Sequence, residues 1–191
     1  MKTIFKLSAA AVLLAATVSP AMSAVLTVDF SRVFSESAAG KSGNTQLHAK
    51  YDAPMQQRNT AFNTAVQAYN TQAGAVQAIK PPAQATPAQI NAARQAGERA
   101  QAAQDALSQL DQEVQTVGRY VQSQIVEKVT PIAEQIRAER KADVVVPKGS
   151  VLAADPTADV TTLVIQRLDA SFPNPSITLP QQPAPAAGAG R

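Results

Sequence analysis

Two adjacent prolines in the middle of a long Ala- and Gln-rich stretch constrain this sequence most. Residues 43–141 are mostly Ala, Gln, Asn and charged side chains, with large apolar residues at widely spaced positions. Pro81 and Pro82 interrupt the stretch, and neither ring nitrogen can donate the hydrogen bond that a helix requires. The residue before a proline is also pushed out of the helical conformation. The stretch therefore predicts two helices joined by a turn at residues 80–87.

The helix predicted after the turn has a narrow seam of coiled-coil type. Thr86, Pro87 and Gln89 supply the N-cap, the tolerated first-turn proline and the capping-box glutamine of a helix start. Seam positions then recur at alternating steps of three and four, and two successive steps of four predict local unwinding of the supercoil. Pro131 predicts either a kink or a restart of the helix capped by Thr130. The seam positions are Ile90, Ala93, Gly97, Ala100, Gln104, Leu107, Leu110, Val114, Val117, Val121, Ile125, Val129, Ile132 and Ile136.

The helix predicted before the turn has a weaker seam. Its large residues stand seven apart at Met55, Phe62, Tyr69 and Val76, which is one position of a heptad. The facing helix offers them mainly alanines, so we expect these side chains to be partly exposed. Packing between the helices is one interpretation. Binding of varied apolar partners is the other, because Met and aromatic side chains suit promiscuous surfaces.

Basic side chains outnumber acidic ones near the predicted turn. Arg58, Lys80, Arg94 and Arg99 lie there, with Glu98 as the acidic exception. A solvated helix face is one interpretation of this pattern. Weak attraction to acidic partners or to lipid headgroups of a membrane is the other.

The two flanks of the helical stretch, residues 24–42 and 142–172, predict one small β-rich body. An antiparallel hairpin would bring these flanks together, although they are far apart in the sequence. Three short strands and one helix are too little for a stable domain, so we expect edge strands to pair between copies of the chain. The expected elements are strands at residues 24–30, 143–146 and 150–154, a bend at Gly40, and a last helix at residues 160–171 capped by Asp159.

The first 23 residues have the pattern of a cleaved secretory signal peptide. Lys2 and Lys6 precede an apolar run at residues 7–18, and small residues follow where a signal peptidase cuts. The run is too short for a transmembrane helix. The remaining chain has 15 basic and 14 acidic side chains. This near-neutral charge, together with export, argues against a nucleic-acid partner.

The composition also argues against most kinds of chemical site. The chain has no cysteine, and therefore no disulfide, thiolate metal site or cysteine nucleophile. We expect the single histidine, His48, to be a solvated residue on a helix face. No acid pair, nucleophile–base pair, metal cluster or phosphate loop is visible, so we expect no enzymatic activity and no cofactor. Residues 173–191 are mainly Pro, Ala, Gln and Gly and are expected to be disordered.

Three segments of the flanks carry a resemblance to a known family. Residues 28–41, Val-Asp-Phe-Ser-Arg-Val-Phe-Ser-Glu-Ser-Ala-Ala-Gly-Lys, resemble the opening motif of the Skp/OmpH family, the periplasmic holdase chaperones of outer-membrane proteins. Residues 142–146 with 150–154 resemble the closing strand pair of that family, and residues 159–161 resemble the start of its last helix. The resemblance covers roughly residues 24–168.

The resemblance implies a mainly α protein in which short strands from three copies form a barrel and three coiled-coil hairpin arms project from it. Unfolded outer-membrane β-barrel proteins would be held between the arms in the periplasm, without ATP. The candidate client-binding residues on the arm are Met55, Phe62, Tyr69, Val76, Arg58, Lys80 and Arg94. The candidate oligomerisation residues of the body are Val25, Leu26, Val28, Val144, Val145, Val146, Val151 and Leu152.

A second class of function stays open, namely a structural or adaptor coiled coil of the cell envelope. The hairpin of an efflux adaptor is an example of such an arm. Those hairpins normally lie in much larger chains with additional β-domains, which this sequence lacks.

Overall fold

The structure is a computed structural model that describes residues 24–80 and 83–180. It is mainly helical with two long helices, as predicted, and it has two short strands where three were predicted. The predicted signal peptide, Pro81 and Pro82, and the end of the tail from residue 181 lie outside the described residues. The elements in chain order are β1 (Val25–Val28), α1 (Phe30–Glu36), α2 (Ala38–Gln77), α3 (Pro87–Glu139), β2 (Val144–Pro147), two short 3₁₀ helices (Lys148–Ser150 and Pro156–Ala158) and α4 (Thr161–Ser171).

Helices α2 and α3 form the predicted antiparallel hairpin, which we call the arm. With 40 and 53 residues, they are about 60 and 80 Å long. The start of α3 is fixed by the predicted capping box. The Gln89 backbone N–H donates to Thr86 Oγ1 at 3.3 Å, and the Thr86 N–H donates to Gln89 Oε1 at 2.8 Å. A local sequence signal therefore sets where the second half of the arm begins.

Helix α3 is continuous through Pro131. The hydroxyl of Thr130 donates to the Val126 carbonyl oxygen at 2.9 Å, which places Thr130 within the helix rather than at a new N-terminus. The predicted alternative of a restart capped by Thr130 is therefore wrong. The ring removes one backbone donor, and tertiary packing on either side of it keeps the helix intact.

The arm begins earlier than predicted, because the chain bends at Ser37 and not at Gly40. The Ser37 hydroxyl accepts from the Gly40 N–H at 3.0 Å, and Asp169 Oδ1 accepts from the Ala38 N–H at 2.7 Å, so two side chains cap α2. Gly40 is instead required for close approach. A Cβ at this position would lie 1.8 Å from the carbonyl oxygen of Phe34 in α1.

Strands β1 and β2 form a two-stranded parallel sheet, with Val25 opposite Val144 and Val28 opposite Pro147. The predicted third strand at residues 150–154 is wrong. Its start belongs to a 3₁₀ helix, and residues 151–155 are irregular. The physical reason lies at the second edge of β1, where the Thr27 carbonyl already accepts from the Val160 N–H at 3.0 Å.

The core of the body lies where the sheet, α1, α4 and the last third of α3 meet. Helix α4 is held on this core by its predicted apolar face and by a paired salt bridge from Arg167 to Glu139 at 2.6 Å. The predicted cap at Asp159 is one residue off, because α4 begins at Thr161 with Val160 as its N-cap residue and without a side-chain cap. Asp159 lies just before it, where its carboxylate accepts from the Thr161 N–H at 2.9 Å and pairs with Lys148 at 2.8 Å. The largest fully buried apolar side chains of this core are Val28, Val33, Ile125, Val129, Ile136, Val164 and Leu168.

The tail is ordered as far as the structure describes it, so the prediction of disorder from Pro173 is wrong for residues 173–180. Pro175 is buried, and Ile177 packs against the core cluster. The composition did not predict this packing, because Pro and Ser give no apolar periodicity. The backbone groups of Pro175 and Ser176 nevertheless form hydrogen bonds with side chains of the arm. The prediction for residues 181–191 lies outside the described residues.

Candidate functional site

The half of the arm nearest the body is closed by a buried apolar seam. The predicted seam of α3 is confirmed here, and burial is nearly complete from Val117 onward. Such packing leaves little apolar surface for a partner, so this part of the arm supports the structure. The buried seam residues are Val117, Val121, Ile125, Val129, Ile132 and Ile136.

A polar cluster marks the end of the closed seam. The buried Tyr51 of α2 donates its hydroxyl to Glu113 Oε1 of α3 at 2.6 Å. The amine of Lys50 lies 4.6 Å from the centre of the Tyr51 ring and 3.5 Å from Glu113. Burial and the bond to Glu113 raise the pKa of the Tyr51 hydroxyl, so it stays neutral and donates at physiological pH. This bond therefore ties the two helices together.

Beyond this cluster the arm is held together by small residues, and the predicted phase of the seam is partly wrong. Ala96 is buried, whereas Gln104 is exposed and Ile90 is 53% exposed. The ring of Tyr69 lies against Gly97, with its nearest carbon 3.4 Å from a Cβ built at that glycine. Small side chains let the two helices approach along a face of α3 that includes Ala96, next to the predicted seam position Gly97. The alternating steps of three and four do not distinguish this face from the predicted one.

The apolar members of the candidate client-binding set are spread along the part of the arm beyond the Tyr51–Glu113 cluster, which we call the open part of the arm. Met55, Phe62 and Val76 are half-buried, and Tyr69 is 41% exposed. At 1.5 Å per residue, the four side chains extend over about 32 Å of α2. They form a line of separate, partly accessible apolar surfaces and not one pocket.

An alanine-lined crevice of about 430 Å³ opens between the helices in the same region. Its walls are mainly alanine methyl groups, with the side chains of Thr64 and Arg99 beside them, so it offers mainly shallow apolar contact. The heptad pattern gave no sign of this crevice, because Ala96 lies outside the predicted seam positions. The lining residues are Ala61, Thr64, Ala65, Ala68, Ala96 and Arg99.

The basic members of the set do not gather at one place. Arg58 and Lys80 are exposed at separate positions of the arm, and Arg94 pairs with Glu98 one turn away on α3. An exposed ion pair of this kind contributes little to the stability of the fold, and salt screens it. Together with the near-neutral charge, this arrangement gives the arm no concentrated positive surface.

The body presents a mainly apolar groove of about 570 Å³ beside strand β2. Among the described residues, β2 pairs only with β1, so its other edge has no strand partner. Val144 and Val25 are each 40% exposed, and Leu152 is fully exposed in the irregular segment after β2. These three side chains are the accessible part of the candidate oligomerisation set.

The other members of that set are turned inward to different degrees. Leu26 and Val28 are buried in the core of the chain itself. Val145 packs on the same core, while Val146 and Val151 are half-buried. A charge at Val145 would therefore damage the fold of each copy, and a test of assembly needs the exposed residues.

Two further findings concern residues 24–80 and 83–180. Nowhere in this part of the chain do three or more His, Asp or Glu side chains lie close enough together to hold a metal ion. None of its helices is long and apolar enough to cross a bilayer. His48 is exposed on α2, with its Nδ1 3.0 Å from Asp52.

Comparisons with known proteins match most of the chain. A family model described as "Outer membrane protein (OmpH-like)" matches residues 24–168. A crystal structure from Caulobacter crescentus CB15, described as that of a candidate OmpH-like outer membrane chaperone, superposes with a TM-score of 0.57 and 23% identity. This alignment covers 83% of the present chain and 90% of the other. At that identity the superposition establishes a shared fold. A comparison with curated proteins finds no match.

Proposed function

Because the chain belongs to the OmpH-like outer membrane protein family, we propose that it is an ATP-independent holdase chaperone of the periplasm. Membership supports a function of chaperone type. The finer proposal is that the arms bind unfolded outer-membrane β-barrel proteins and keep them from aggregating. The predicted signal peptide would deliver the chain to the compartment where such clients are exposed.

The observation that carries the proposal is the line of partly exposed apolar residues on the open part of the arm. An unfolded outer-membrane protein exposes alternating apolar side chains, and it must leave the chaperone without ATP. Many weak contacts over a long surface meet both needs, whereas one deep pocket would release its client slowly. Met55, Phe62 and Tyr69, with the alanine-lined crevice beside them, provide such a surface.

We further propose that copies of the chain assemble as a homotrimer through the body. The groove beside β2, the unpaired strand edge and the exposed Val25, Val144 and Leu152 support this proposal. Strand pairing between copies would satisfy the free backbone groups and bury the apolar side chains together. Assembly would also place several arms around one volume, so that a client meets apolar surface from more than one side.

The direct experiment is suppression of client aggregation, followed by light scattering with an unfolded outer-membrane protein. Replacing Met55, Phe62 and Tyr69 together by Ala should raise the concentration needed for half-suppression by about tenfold, as expected when three apolar contacts of roughly 0.5 kcal/mol each are lost. Replacing Arg58 and Lys80, together with Arg94, by Gln should change it less than about threefold.

A matched control uses the exposed residue that follows each apolar one. Replacing Gln56, Asn63 and Asn70 by Ala changes the same turns of α2 without removing apolar surface. This control should behave as the wild type, and circular dichroism should show equal helicity in all variants. Stronger loss in the basic set than in the apolar set would overturn the proposed mode of holding.

The second candidate function is a structural or adaptor coiled coil of the envelope, which the length of the arm favours. Such a protein would use its arm tip or flanks to bind a folded partner. It would not delay aggregation of unfolded clients at stoichiometric amounts. Full aggregation in the presence of the wild-type protein would therefore favour this second function.

A further inference from the structure

The last described residues, 173–180, which we call the strap, run back along the arm from the end of α4. The Lys128 amine of α3 lies 5.8 Å from the centre of the Phe172 ring, just before the strap begins. One turn further along α3, the Gln124 side chain bonds both backbone groups of Ser176. Its Oε1 accepts from the Ser176 N–H at 3.0 Å, and its Nε2 donates to the Ser176 carbonyl at 2.8 Å. The strap is thereby fixed to α3.

The strap also bonds to α2. Ser42 donates its hydroxyl to Asn174 Oδ1 at 2.9 Å, and Gln46 Nε2 donates to the Pro175 carbonyl at 3.1 Å. The Pro175 ring is buried over Gly43, where a Cβ would lie 3.2 Å from the ring and 2.6 Å from a methyl carbon of Val121. The glycine in α2 thus leaves space in which the strap and the facing helix meet.

We infer that the strap is a brace that fixes the opening of α2 and α3 where the arm leaves the body. It crosses both helices and is covalently joined to α4, which is itself anchored to the core. The strap lies beyond residues 24–168, so family membership does not account for it. The inference concerns the stiffness of the arm and does not depend on whether the protein holds clients.

Because the brace lies at the base of the arm, a small rotation there produces a large displacement of the tip. The arm extends about 45 Å beyond the strap contact at Gln46, if α2 is followed to its end. A rotation of about 10° at the base would therefore move the tip by roughly 8 Å. Further out, Glu113 accepts the bond from Tyr51 and pairs with Lys50, and these are the remaining polar side-chain links between α2 and α3 among the described residues. Polar links that bridge α2 and α3 thus lie at the base and at this cluster, and the outer part of the arm is held by the packing of small residues.

Amide hydrogen exchange on the full chain and two truncations tests the brace. A chain ending at Pro180 keeps the strap, and a chain ending at Phe172 loses it. We expect loss of the strap to raise exchange in residues 42–50 and 117–125 roughly tenfold and to lower the Tm by several degrees. The chain ending at Pro180 should match the full chain in both measurements.

Point variants separate the brace from general damage to the fold. Gln124→Ala removes both bonds to Ser176 and should raise exchange in the same two segments. Gln122→Ala makes the same change at an exposed position on the same helix and should have no effect. Unchanged exchange in both the Phe172 truncation and Gln124→Ala would overturn the inference. If the Phe172 truncation does not fold, the comparison of Gln124→Ala with Gln122→Ala decides alone.

Discussion

Replacing Asp159 by Asn should weaken the attachment of the start of α4 to the sheet and lower the free energy of unfolding by an amount that depends on pH. Asp159 accepts from the Thr161 N–H and pairs with Lys148, and its backbone lies beside Thr27 of β1. Partial burial opposes ionisation, but the hydrogen bonds from Lys148 and Thr161 outweigh it and lower the pKa from 3.8 to about 2. The charged form of Asp159 therefore stabilises the folded state.

The size and direction of the effect follow from this pKa. Each pH unit of difference corresponds to about 1.4 kcal/mol, so the upper bound is roughly 2.5 kcal/mol. Because the Lys148 amine is half exposed, screening reduces this to about 1–2 kcal/mol. A lowered pKa gives stability that is fully present above about pH 4 and is lost as the pH falls through about 2.

The assay is urea unfolding at several pH values and one fixed protein concentration, because the proposed assembly would make stability depend on concentration. The free energy of unfolding of Asp159→Asn should lie about 1–2 kcal/mol below that of the wild type at pH 7, and the two should converge near pH 2. Asp111→Asn removes the same charge from an exposed site on the arm and should change the free energy by less than about 0.5 kcal/mol. A difference for Asp159→Asn that stays constant from pH 7 to pH 2 would show that shape, not charge, explains the loss.

Three further predictions concern the bend, the assembly and the charge of the arm. Gly40→Ala should cost at least about 3 kcal/mol in thermal or urea unfolding, because the added Cβ would overlap the Phe34 carbonyl oxygen and α1 would have to move; a loss below about 1 kcal/mol would show that this contact yields easily. Light scattering should give three times the chain mass for the wild type and a lower mass for Val144→Asp and for Leu152→Asp at unchanged helicity, whereas a wild-type monomer would contradict the proposed trimer. Client affinity should fall less than about twofold between roughly 50 and 500 mM salt, since the arm has no concentrated positive surface; complete release by salt would point to an electrostatic mechanism.

The parts of the fold that depend on local chemistry were predictable from the sequence. Adjacent prolines disrupt the interior of a helix, and the Thr86 capping box starts one for reasons contained within four residues. The apolar seam near the body was also readable, because large residues repeated over many turns leave only one face to bury. The same reasoning found the polar group at the start of α4, since Asp159 accepts from the Thr161 N–H, although the helix begins one residue later than predicted.

The parts that depend on contacts between distant residues were not predictable in this way. Gly40 looked like a bend, yet its role is to admit the Phe34 carbonyl from a neighbouring helix. Pro175 looked like part of a disordered tail, yet it fits over Gly43, more than a hundred positions earlier. The role of a small residue at such a position can be assigned only when the distant residue that it contacts is known. The client-binding roles of the arm residues stay predictions, since the structure places these side chains without a client.

The parallel pairing of β1 and β2 has a consequence for how this architecture can vary. Parallel strands require a crossover connection, and here the whole arm is that connection, closing a sequence separation of 119 positions between Ala24 and Asp143. The pairing of β1 with β2 depends only on the positions at which the two helices leave the body and return to it. One heptad added to α2 and one to α3 would lengthen the arm by about 10 Å and leave the strand register unchanged. The length of the arm can therefore change in paired steps of seven residues while the surface proposed for assembly stays constant.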